Sequence, residues 1–280
     1  MDFTRNPWRP TRRGFLMTLG AAALPACGDN EGRFAGFRMG IQSWTWRAFP
    51  LADALRMTAE LGFDRIELSW YTGHLPFPAP LEEADAIRAQ LDAHRLACVT
   101  THVEPSGAGH EAHREVFAYV RRLGARTNMM DAHPDQRDSL EELAIEYDVR
   151  VGIHNHTASQ YTRIEHVLEA IDGRDRRFGT IVDTGHYARA GVDPVEAIRA
   201  FEGRLFGVHL KDVAAANPAA PDAILGRGVV DVVGVFRALR EVGFPADASI
   251  SLEYEENPEA PYDDVAAALE HAAAAARASR

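Results

Sequence analysis

From residue 38 onward, short apolar runs alternate with amphipathic segments, and the runs recur about every 30 residues, the length of one βα unit. The pattern predicts strands at 38–43, 64–69, 96–102, 126–130, 150–154, 179–183, 205–209 and 248–253. Between them the 3.6-residue periodicity predicts helices at 51–61, 81–94, 111–123, 135–147, 160–172, 193–202, 232–242 and 263–276. Gly62, Gly124, Gly173 and Gly243 stand where helices stop. Eight alternations with nothing left over point to an α/β fold, a closed (β/α)8 TIM barrel. An open doubly wound sheet calls for a glycine-rich turn after its first strand, and Gly40-Ile-Gln-Ser-Trp-Thr-Trp46 is not one.

Four runs in the second half end on metal-ligand residue types. Val151-Gly-Ile ends on His154, Thr180-Ile-Val on Asp183, Leu205-Phe-Gly-Val on His209, and Ser249-Ile-Ser-Leu on Glu253. In a parallel barrel the carboxyl ends of all strands lie on one face. Two imidazoles and two carboxylates meeting there form a cage for a divalent metal ion.

The order His-Asn-His, Asp-x-x-His, His-x-Lys-Asp and Leu-Glu-Tyr, with Met39-Gly-Ile-Gln42 and Gly62-Phe-Asp-Arg-Ile-Glu67 before it, resembles the xylose isomerase-like barrels. Their nearest branch is the sugar phosphate isomerase/epimerase family. The likeness covers residues 38–276. It implies one divalent ion held by His154, Asp183, His209 and Glu253. Many relatives carry Glu where His154 stands. The exchange leaves two carboxylates in the cage, a set that favours Mn, Co, Zn or Fe over Mg.

Glu253 is the first candidate for a catalytic base, with Glu67 on strand two, His102 on strand three or His154 as its partner on the other face. His156 and His186, which follow the cage residues, and Lys211 are candidates for substrate contacts. Trp44, Trp46 and Trp70 follow strands one and two and offer flat faces to sugar rings. Arg227 lies in a long segment after strand seven, Val213 to Asp231, expected to lie over the barrel mouth. Gln160 stands where some ketose 3-epimerases of this family have Glu, so that particular activity is not carried over.

The implied chemistry is proton transfer beside a carbonyl, through an enediolate. Return of the proton elsewhere makes an isomerase or epimerase acting on a non-phosphorylated sugar or keto-sugar. Loss of a β-oxygen substituent makes a lyase that releases the aglycone of 3-keto-glycosides, or a dehydratase. A sugar-binding lipoprotein without catalysis is the alternative of another class.

Residues 1–26 read as an address. Arg12-Arg13 precedes a short uncharged run, as in a twin-arginine export signal, and Leu24-Pro-Ala-Cys27 resembles a lipobox with Cys27 as the lipidated residue. A linker at 27–36 and one barrel domain at 37–280 follow. The expected location is the cell envelope or periplasm, with the membrane engaged only through that lipid. Removing residues 1–26 takes the formal charge from −11 to about −14, which repels nucleic acid. With Cys27 lipidated, Cys98 is the one unmodified thiol, expected as a small buried residue, so no intramolecular disulfide forms. The expected partner is therefore a small carbohydrate.

Overall fold

The computed structural model describes residues 30–104 and 109–280. Ten strands occur among them: β1 Met39–Gln42, β2 Arg65–Ser69, β3 Thr100–His102, β4 Thr127–Met130, β5 Arg150–His154, β6 Phe178–Asp183, β7 Leu205–Leu210, β8 Asp212–Val213, β9 Asp222–Ala223 and β10 Ser249–Leu252. Eight of them close a parallel barrel in the order β1-β10-β7-β6-β5-β4-β3-β2, while β8 and β9 form a small antiparallel hairpin outside it. The helices are α1 Asn30–Arg33, α2 Leu51–Glu60, α3 Leu81–Ala93, α4 His110–Leu123, α5 Arg137–Tyr147, α6 Ile164–Ile171, α7 Thr184–Arg189, α8 Pro194–Ala200, α9 Val232–Glu241 and α10 Tyr262–Ala278.

The expected (β/α)8 barrel is the observed fold. Its strands are buried on both faces, as in β6 and β7 where every residue is enclosed, which is why they read as unbroken apolar runs. Each long helix turns one apolar stripe inward. On α4 this is Val116, Phe117, Val120 and Leu123, and the helix stops at Gly124 in the left-handed conformation, φ 95°. At Gly179 a Cβ would stand 2.2 Å from the Arg204 carbonyl oxygen, so only glycine lets β6 lie this close to the start of β7.

Three elements depart from the sequence expectation. Strand three is shorter than 96–102: Leu96–Val99 contributes only an isolated bridge between Ala97 and Arg65. The short α7 begins directly at Asp183 with no loop between them. Phe34 and Ala35, expected in a linker, are buried in the core, and Arg240 lies over the Phe37 ring. Cys98 is buried as expected, and burial pushes its thiol up to about 12. Cys27 and the expected export signal lie outside the described residues.

Candidate active site

Asp183 closes β6 and caps α7. Its Oδ1 accepts from the His186 amide at 2.7 Å, which leaves Oδ2 to point into the barrel mouth. Asn155, the residue after β5, fixes this corner by donating to the Asp183 carbonyl at 2.9 Å and accepting from the Asp183 amide at 2.7 Å. His154 Nε2 stands 3.6 Å from Asp183 Oδ2, His209 Nδ1 stands 3.7 Å from it, and Glu253 Oε2 lies 2.8 Å from His209 Nδ1.

These four atoms are buried, and apart from their approaches to one another and that of Lys211 Nζ to Asp183 Oδ2 at 3.5 Å they have no hydrogen-bond partner. Buried polar atoms are seldom left in that condition, because each carries a desolvation cost of about 1–3 kcal/mol. Ligand atoms about 2.1 Å from a tetrahedral ion lie roughly 3.4 Å apart, close to the 3.6 and 3.7 Å separations here. Among the described residues, the atoms offered by His154, Asp183 and His209 fall within 4.8 Å of one another. Glu253 adjoins this triad through His209. The donor set fits a divalent ion.

The electrostatics give each group a definite form. Burial pulls His154 down, so it is a neutral imidazole with a lone pair to offer. Burial opposes charge on Asp183 and Glu253 as well, but Lys211 with the neighbouring imidazoles outweighs it and holds both carboxyls well below their ordinary range. His209 shows the reverse balance: burial would keep it neutral, yet Glu67, Glu253 and Asp183 draw it well above its usual value. The carboxylates thus stabilise positive charge at this point.

A cavity of about 520 Å³ opens directly above the cage. Trp44, Tyr71, His102, His156 and His186 line it together with His154, His209 and Glu253. His156 Nδ1 accepts from the Ala158 amide at 2.9 Å, so the ring proton sits on Nε2. Burial holds His156 down to about 4 and lowers His186 as well, keeping both neutral. His102 sits on the wall formed by β3, with Glu104 3.7 Å away and the Tyr71 ring edge-on at 5.0 Å.

Five sequence candidates sit elsewhere than expected. Glu67 is 1% exposed, beneath the cage; its Oε1 meets His209 Nε2 at 2.9 Å, and it does not line the cavity. Trp46 is a core residue whose indole donates to Thr58. Trp70 packs on Tyr71 at 4.6 Å with its indole nitrogen buried, outside the cavity lining. Arg227 is exposed and takes no part in the lining. Lys211 is buried away from the cavity and pairs with Asp183, Glu253 and Glu255 instead of its neighbour Asp212.

Asp212 has a structural task, accepting from the amides of Val213, Gly226, Gly228 and Val230 and so folding the loop after β7. Three acidic lining residues were not singled out in the sequence: Glu104, Asp131 and Glu255. Glu104 and Glu255 each stand two residues beyond a recognised one, His102 and Glu253. The two-residue alternation of extended chain could have placed both at the mouth.

Residues 55–272 match the family described as Xylose isomerase-like TIM barrel, and the chain belongs to it. It is 23% identical over 210 residues to an inosose dehydratase of Geobacillus thermodenitrificans (strain NG80-2), covering 69% of this chain and 70% of that protein. The solved structure of an L-ribulose 3-epimerase superposes with a TM-score of 0.60 at 20% identity, over 79% of this chain and 82% of the other. The IOLI protein with a bound zinc atom superposes at 0.62 with 16% identity, over 87% and 96%. Members of this family are enzymes, including isomerases, epimerases and dehydratases.

Proposed function

We propose that this protein is a divalent-metal-dependent isomerase or epimerase of an uncharged ketose or keto-sugar. The carrying observation is that four buried ligand atoms, facing chiefly one another, converge below a cavity whose described lining holds the carboxylates of Glu104, Asp131, Glu253 and Glu255 and no Lys or Arg. Such a wall accepts hydroxyl protons and repels a phosphate. His154, Asp183, His209 and Glu253 would hold the ion, Mn, Co, Zn or Fe by donor type. When bound, it supplies Lewis-acid polarisation of a carbonyl. A zinc atom in the structurally similar IOLI protein agrees with this reading.

The chain's own groups supply the rest. Glu253, kept ionised by Lys211 and His209, is placed to take the carbon-bound proton. His102 lies three strands away around the barrel, across β1 and β2, and can serve the opposite face of the substrate. His156 offers Nε2–H to an oxygen of the substrate, with His186 beside it at a ring separation of 3.9 Å. The face of Trp44 and the ring of Tyr71 cover the apolar side of a sugar and limit water.

A second reading has a specific support. With Glu67 engaged by His209, Glu253 has no carboxylate counterpart from β2, and a His102 that protonates a β-oxygen would turn the same first step into an elimination. The likeness to an inosose dehydratase favours this outcome. Export by the twin-arginine route and lipidation of Cys27 remain part of the proposal, and an uncharged envelope glycoside or keto-sugar accords with them.

The test is proton exchange in D2O followed by NMR, with metal-loaded protein and a panel of ketoses, 3-keto-glycosides and their phosphorylated counterparts. Exchange with a retained skeleton on uncharged substrates is expected. Release of an aglycone or of water would establish the elimination reading. A preference for phosphorylated substrates, or no exchange at all, would overturn the proposal.

A further inference from the structure

Glu67 lies on β2 and His209 on β7, strands that are not neighbours in the barrel, since β1 and β10 stand between them. Their side chains nevertheless meet across the barrel interior, Oε1 to Nε2 at 2.9 Å, with side-chain exposures of 2% and 1%. The other carboxylate oxygen accepts from Ser251 Oγ at 3.3 Å, and Ser251 stands 3.0 Å from Ser249 Oγ. Both Glu67 oxygens are thereby engaged, and neither reaches solvent or the cavity.

A carboxylate accepts and does not donate, so Nε2 beside Glu67 carries a ring proton. When a cation replaces the second proton that the surrounding carboxylates hold on the metal-free ring, the lone pair is left on Nδ1. Nδ1 is the atom turned toward Asp183 Oδ2 and Glu253 Oε2. We infer that Glu67 is a positioning residue that fixes the tautomer and rotation of His209, so that Nδ1 faces the cage, with Ser251 holding Glu67 in turn. This inference rests on the metal-binding reading above. It assigns Glu67 a task distinct from proton transfer to the substrate.

The arrangement accounts for the presence of a carboxylate beneath the barrel mouth. Burying it unpaired would be costly, whereas a hydrogen bond from a ligating imidazole raises the basicity of that ligand and restrains its ring. An ordinary buried ion pair would stabilise the barrel without any effect on a ligand at Nδ1.

Two measurements separate these roles. The first is Co2+ affinity by chelator competition for wild type, Glu67→Gln and Ser251→Ala, with folding checked by circular dichroism. Glu67→Gln should bind Co2+ about 10–100-fold more weakly, and Ser251→Ala should weaken it by a smaller factor. A folded Glu67→Gln with wild-type affinity would overturn the inference while leaving the metal site standing. Absence of Co2+ binding by wild type would overturn both.

The second is long-range 1H–15N NMR of the wild-type Zn2+ form, which needs no variant and so holds even if Glu67→Gln fails to fold. His209 should carry its proton on Nε2. A proton on Nδ1 would overturn the assignment.

Discussion

At the residue scale the cage is a set of side chains whose forms are dictated by their neighbours. Glu253→Gln keeps an oxygen near His209 but loses charge and basicity. It should retain much of its metal while solvent exchange of a substrate proton falls by about 10²–10⁴, the usual worth of a positioned base; His102→Ala should cost less, or block one direction only. Near-normal exchange in metal-replete Glu253→Gln would move the base elsewhere. The two neutral imidazoles give a pH prediction for chelator-treated protein. An unfolded His titrates near 6.5, while His156 is held down to about 4 by burial and by His154. Between those values the unfolded chain binds the extra proton, so this group's stability contribution is present above 6.5 and is lost as pH falls toward 4. His156→Gln should therefore flatten the pH dependence of urea stability across that window, and an unchanged slope would contradict the assignment. The convergence of His154, Asp183, His209 and Glu253 was legible in the sequence because a strand end fixes where a side chain emerges. Glu67 was legible as inward-facing but not as buried beneath His209, since its depth depends on a register across two intervening strands.

At the element scale, the short α7 and the loop after β7 hold the site in place. Gly185 on α7 is the slot through which the Lys211 stem passes: a Cβ there would stand 2.6 Å from Lys211 Cγ and 2.7 Å from Cδ. Gly185→Ala should cost about 1–3 kcal/mol by overpacking and weaken metal binding by displacing the ammonium from Asp183 and Glu253. Denaturant titration and chelator competition would show both, and wild-type values in both would refute the slot. The loop's organiser is Asp212. Asp212→Ala strands four backbone amides and should lower stability by about 2–4 kcal/mol, with faster proteolysis confined to residues 213–231. The sequence showed this segment as a loop. It did not show the hairpin of β8 and β9, because two-residue strands leave no periodicity, nor α7, whose six residues are too few for an apolar stripe. Leu96–Val99 misled in the other direction: an apolar run was read as strand although only Ala97 makes a bridge.

At the scale of the whole molecule, the barrel was the most legible feature, since eight repeats of one unit must close on themselves and bring every strand end to one face. The proposed chemistry rests on that convergence: residues from β5, β6 and β7 and the residue after β10 bring four buried ligand atoms together at one end of a cavity. What the pattern could not convey was the balance of charge inside, where the chain's single lysine is buried among acidic groups and the cavity wall carries Glu104 and Glu255, one alternation beyond the recognised residues. The central claim is that these four atoms form one metal site, and metal stoichiometry tests it most directly. After loading with Mn2+, Co2+ or Zn2+ and removal of loosely held ions, elemental analysis should find about one ion per wild-type chain, and almost none in folded Asp183→Ala or His209→Ala. A wild-type protein without metal, or full occupancy in both variants, would contradict the account.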